Sequence, residues 1–133
     1  MLKKTVKYVD FNGTEREEDV YFNLTDTERL TFISKNGGGN FKDLINRIAT
    51  SMDNEAIVRM ISEIILAAYG EKSDDGKYFM KSPEIALRFQ CSPIYDMIYQ
   101  EIAFDDKKAM TFINAVVGAD ATKPQDHLPP RND

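Results

Sequence analysis

At 133 residues, with 42% apolar and 29% charged residues, the chain has the composition of one soluble globular domain with a hydrophobic core. Its net charge of -5 argues against a nucleic-acid partner, because phosphate neutralisation needs a concentrated basic surface, and no apolar run approaches the roughly 20 residues that span a bilayer. The single cysteine, Cys91, cannot form an intrachain disulfide, and the start alternates polar and apolar residues without the apolar stretch of a signal peptide, so a cytoplasmic location is expected.

Residues 3–9 alternate in polarity, and Glu18-Asp19-Val20-Tyr21-Phe22 is a second strand-like run. Between them Asn12-Gly13 is a strong hairpin signal, since both residues tolerate the positive φ of a type I′ turn. A β-hairpin over about residues 2–22 is expected, and it must lean on later helices because two strands alone are marginal in water. Lys3, Lys4 and Lys7 read as lysines that block edge pairing. Glu15, Glu17, Glu18 and Asp19, beside the second strand, read as a solvated acidic face, with docking of a basic partner as the alternative.

Thr25 and Glu28 form a capping box that starts a helix carrying Leu30 and Ile33, with Leu24 as its staple; Gly37-Gly38-Gly39 ends it. Phe41, Leu44, Ile45 and Ile48 give a second helix over about residues 40–50. Asp53 or Asn54 opens a third, whose stripe of Ile57, Met60, Ile61, Ile64, Ile65 and Ala68 is the most apolar in the chain, with Gly70 expected as its C-cap. Two helices then start alike, at Ser82-Pro83 and Ser92-Pro93, with proline at the first position. Asp105 caps a last helix through Ala109, Phe112, Ile113, Val116 and Val117, ended by Gly118. The expected fold is therefore mainly α, about five to six helices with an N-terminal β-hairpin, in a single small α+β domain over residues 1–118. Residues 119–133 lose periodicity, gain three prolines and are expected to be a disordered tail.

No catalytic, cofactor-binding or metal-binding residue is assigned, and no cofactor is expected. The segment from Glu71 to Ser82 puts Glu71, Ser73 and Asp75 at calcium-loop positions 1, 3 and 5 if Gly76 is position 6, but position 12 is then Ser82 where a bidentate glutamate is needed. A tight polar turn at Asp74-Asp75-Gly76, with Tyr78 and Phe79 returning to the core, is expected instead. The triple glycine lacks the following lysine and hydroxyl of a phosphate loop and reads as a flexible helix connector. His127 lies in the proline-rich tail, and Cys91, without a partner histidine, reads as a small semi-buried residue. Tyr95, Met97, Tyr99 and Met110 either pack inside or form an adaptable groove for a partner helix.

The order of these elements is similar to that of the tail assembly chaperones encoded by siphophages and prophages of Gram-positive bacteria. The resemblance rests on Lys4-Thr5-Val6, Asp10-Phe11-Asn12-Gly13, Glu18 to Leu24, the stretch from Tyr69 to Phe79, Lys81-Ser82-Pro83-Glu84, Tyr95, and Ala109 to Asn114, and covers about residues 3–117. It implies a protein without enzyme activity that binds the tape measure protein in the host cytoplasm, keeps it soluble, recruits tail tube subunits and is absent from the mature virion. Self-association is a further expectation, since a chaperone coating a long rod gains from repeated contacts. The rival reading is a small acidic regulatory, adaptor or inhibitor protein of phage or prophage origin.

Overall fold

A computed structural model of the chain describes residues 1–50 and 54–117. In chain order the elements are β1 (Leu2–Val9), β2 (Glu15–Phe22), α1 (Asp26–Lys35), α2 (Phe41–Thr50), α3 (Asn54–Ala68), β3 (Tyr69–Lys72), β4 (Phe79–Met80), α4 (Pro83–Gln90), α5 (Pro93–Ala103) and α6 (Asp106–Val117). Among the described residues the fold is thus six helices and an N-terminal antiparallel hairpin in one small α+β domain, as expected. Asp53, Gly118, His127 and the tail at 119–133 fall outside the described residues.

The hairpin pairs Leu2 with Phe22 through to Val9 with Glu15, so residues 10–14 form the loop. It is not the two-residue type I′ turn expected from Asn12-Gly13. The Asp10 carbonyl accepts the Gly13 amide, while the Asp10 carboxylate accepts the amides of Asn12 and Thr14. Asp10 therefore organises a five-residue loop in which Gly13 alone among its residues is glycine, at φ +83°. β2 also begins earlier than expected, which places the acidic run inside the strand: Asp19 accepts the Thr5 hydroxyl, and Glu17 lies opposite Lys7.

The segment after α3 departs most from expectation. α3 passes directly into β3, where Gly70 pairs with Tyr21 instead of capping a helix. β3 turns back as β4, so the sheet has four strands in the order β1-β2-β3-β4, all antiparallel. Gly70 is required there by close approach: a Cβ would lie 2.6 Å from Cε2 of Phe79 and 2.9 Å from the Met80 carbonyl oxygen. Tyr78, expected to return to the core, is 63% exposed, because the strand alternation that turns Phe79 inward turns its neighbour out.

The helix starts behave individually. Thr25 and Glu28 form the full capping box, Ser82 accepts the Ile85 amide, and Asp105 accepts the amides of Lys107 and Lys108. Ser92 stands at the N-cap of α5, but its hydroxyl donates to the Phe89 carbonyl at the end of α4 and makes no side-chain cap. The glycine connector is also better defined than expected. Gly38 N–H reaches the Ile33 carbonyl across Gly37 at φ +105°, the pattern of a Schellman cap, and Arg47 donates to the carbonyls of Asn36 and Gly38.

The core lies between the base of the sheet and the helices. α3 supplies Met60, Ile61, Ile64, Ile65 and Ala68, α5 supplies Ile94, Ile98 and Ile102, and α6 supplies Phe112, Ile113 and Val116. Phe22 joins sheet to helices: its ring meets Tyr69, Phe89 and Phe112 edge-on with centroids 5.2–5.8 Å apart, while Tyr69 stacks on Phe89 at 3.9 Å.

Candidate functional site

The second hairpin contains the calcium-loop residues, and the fold engages each of them with partners of its own. Glu71 lies on β3 and pairs with Arg88 of α4 at 3.3 Å. Asp75 turns into its own loop, accepting the Ser73 hydroxyl at 2.8 Å and the Lys77 amide at 3.0 Å, and these bonds hold its carboxyl below the usual carboxylate range. Ser73 in turn accepts the Tyr78 amide, and Ser82 is occupied in capping α4. Each of these four side chains thus has a partner within the protein, and Ser73, Asp75 and Lys77 make the polar turn expected there. Cys91, expected to be semi-buried, is exposed at the C-cap of α4, where its amide donates to the Leu87 carbonyl.

Lys81 stands out among the polar side chains. Its ammonium donates to the Asn23 carbonyl at 2.7 Å, the Ala67 carbonyl at 2.8 Å and Glu28 Oε1 at 2.8 Å. It thereby joins the exit of β2, the C-terminal turn of α3 and the capping box of α1. Burial pushes the Glu28 carboxyl up, but the Lys81 ammonium and the Thr25 amide outweigh it and hold the group below its ordinary value. Three acceptors on one ammonium leave no donor for a substrate, so Lys81 is structural.

The four residues expected either to pack inside or to form an adaptable groove do not share one surface. Successive side chains rotate by about 100°, so with Ile94, Ile98 and Ile102 inward, Tyr95 and Tyr99 fall on one flank and Met97 on the other. Tyr95 packs edge-on against Phe89 and exchanges a 2.9 Å hydrogen bond with Ser62 of α3, while burial pushes the Tyr99 phenol up. The pair packs against the core, and the rings also wall a shallow groove of about 400 Å³ with Val58, Arg59, Ser62, Glu63 and Asp96. Met97 and Met110 are exposed and are not among the residues walling that groove.

The α3 side of the groove was not foreseen. Val58 sits at the margin of the α3 stripe and is 47% exposed, and nothing at sequence level pairs Ser62 with Tyr95. An apolar strip of Val58, Tyr95 and Tyr99, edged by Arg59, Glu63 and Asp96, runs between two helices. Such a surface can seat an amphipathic helix, whose apolar residues meet the strip while its polar flanks meet the charges.

Among the described residues no group of three or more histidine, cysteine, aspartate or glutamate side chains is placed to hold a metal ion, and no helix is long and apolar enough to cross a membrane. No match is found among curated proteins or solved structures. Residues 1–128 match the family model of the phage tail assembly chaperone.

Proposed function

Because this chain belongs to the phage tail assembly chaperone family, we propose that it acts by holding the tape measure protein of its phage, without catalysis, and by recruiting tail tube subunits to it. The proposed setting is the cytoplasm of a Gram-positive host infected by, or carrying, a siphophage, with the chaperone leaving before the virion is complete. A tape measure is a long helical rod whose apolar stripes are exposed until the tube surrounds it, and a holding protein must cover those stripes reversibly.

The observation that supports this reading is the groove between α3 and α5. It is open, bordered by charges of both signs, and walled by aromatic rings that already rest on the core. Little ordering is then needed when a helix docks, which lowers the entropic cost of binding. Self-association of the chaperone along the rod belongs to the same proposal and would add avidity to each weak contact.

The test is a pull-down of co-expressed tape measure protein with the native chain and with Val58→Glu. Val58 is exposed enough for the variant to fold, while its carboxylate would lie in the path of an apolar stripe. Retention by the native chain and loss with Val58→Glu is the expected outcome. Equal retention by both would remove the groove from the mechanism.

A further inference from the structure

The N-terminal hairpin is longer than its packing requires. Val20 and Phe22 are buried near its open end and Val6 midway along β1, but every residue from 11 to 19 is exposed. A strand with one face on a core alternates in burial, whereas Glu15–Asp19 of β2 are exposed on both faces. β1 still alternates in burial as far as Tyr8, which packs partly against the core, so the exposed arm is the loop at 10–14 with the distal part of β2. The hollow along it is walled by Lys7, Tyr8, Val9, Glu15, Arg16 and Glu17, all from β1 and β2 themselves.

A two-stranded ribbon is marginal in water, yet this tip is firmly built. Asp10 exchanges backbone bonds with Gly13 and Thr14, takes two further amides on its carboxylate, and pairs with Arg16 across the loop. These bonds hold the Asp10 carboxyl below its usual range and the Arg16 guanidinium above its own. The ordered loop presents Phe11, 84% exposed, beside Val9 at 56%. Below this apolar tip the arm exposes Glu15, Glu17, Glu18 and Asp19.

We propose that this arm is the docking element for the tail tube subunit, inserting Phe11 into an apolar socket rimmed by lysine and arginine. The proposal deepens the functional reading above and rests on its two-partner premise. Shape separates the partners. A single aromatic on a convex tip needs a concave socket, which a folded subunit offers and the ridge of a helical rod does not; the α3–α5 groove suits the rod. Charge fixes the rim, because the carboxylates around the tip repel an acidic surface and steer a basic one. Preorganisation of the loop by Asp10 means that Phe11 is already presented before contact, so docking loses little loop entropy.

The test uses the full chain, purified tail tube subunit and purified tape measure protein, with binding measured at low and physiological salt. Phe11→Ser should weaken tube-subunit binding by roughly tenfold to a hundredfold, the usual range for a central aromatic anchor, and leave tape measure binding unchanged. Glu15→Lys with Glu17→Lys should weaken the same interaction and reduce its salt dependence. Phe11→Leu should retain most of the affinity, and both Phe11 variants should keep the native thermal midpoint, since that side chain is exposed; Glu17→Lys sets like charges opposite Lys7 and should lower it slightly. Full tube-subunit affinity in Phe11→Ser and in the charge-reversed variant overturns the proposal. So does a native chain that holds the tape measure but does not bind the subunit, which leaves the holding role standing. Phe11-dependent subunit binding without tape measure binding keeps the arm and removes the holding role.

Discussion

Lys81 shows how one side chain can fix the relation between three elements. Replacing it with methionine keeps the stem packed but leaves the carbonyls of Asn23 and Ala67 without that donor and Glu28 without its cation. A loss of about 1–3 kcal/mol is expected from those groups together, read as a lower urea midpoint. The pair also sets a pH dependence. Glu28 titrates near 4.5 when unfolded and lower when folded, so its contribution is complete above that pH and disappears as pH falls through the lowered folded value. Lys81→Met should flatten that part of the acid-side stability profile, and an unchanged slope would remove the ion pair from the account. Gly70 makes the complementary case for backbone proximity. Gly70→Ala would drive a methyl group into the Phe79 ring and the Met80 carbonyl, at a cost of about 1–3 kcal/mol in thermal or urea unfolding.

Helices were legible in the sequence because their signals are redundant. Thr25 with Glu28, Ser82 with Pro83, and Asp105 each coincide with the start of an apolar stripe, and each caps as expected. The N-terminal hairpin was legible from alternation, although its loop follows Asp10 and not Asn12-Gly13. β3 and β4 were not legible, because four residues and two residues are too short for a period, and Gly70 after a long helix imitates a C-cap. Only the tertiary neighbours Tyr21 and Phe79 reveal why glycine stands there. The groove was half legible for a similar reason: Tyr95 and Tyr99 lie four apart on one helix, but their α3 neighbours are more than thirty residues away in sequence. Helix α3 offers a direct comparison of core and groove. Ile64→Ala should cost about 2–5 kcal/mol of unfolding free energy, since Ile64 is 1% exposed, whereas Val58→Ala should stay within about 0.5 kcal/mol. Equal losses at the two positions would contradict the assignment of one face to the core and the other to a partner.

At the scale of the whole molecule, the two proposed interaction surfaces lie at the margin of the core. The helices close around Phe22 and the α3 stripe, while the α3–α5 groove and the β-arm border that core. On the proposed reading, the chain holds a rod with one surface and approaches a subunit with the other, while Ser73 and Asp75 of the second hairpin bond within their own turn. The most direct measurement is co-expression with the tape measure protein of the same phage, followed by fractionation and pull-down with and without chelator. The account predicts that the tape measure protein moves into the soluble fraction and co-purifies with the chain to the same extent in both conditions. A tape measure protein that remains insoluble and unbound would contradict the holding role, and rescue abolished by chelator would contradict its independence of metal.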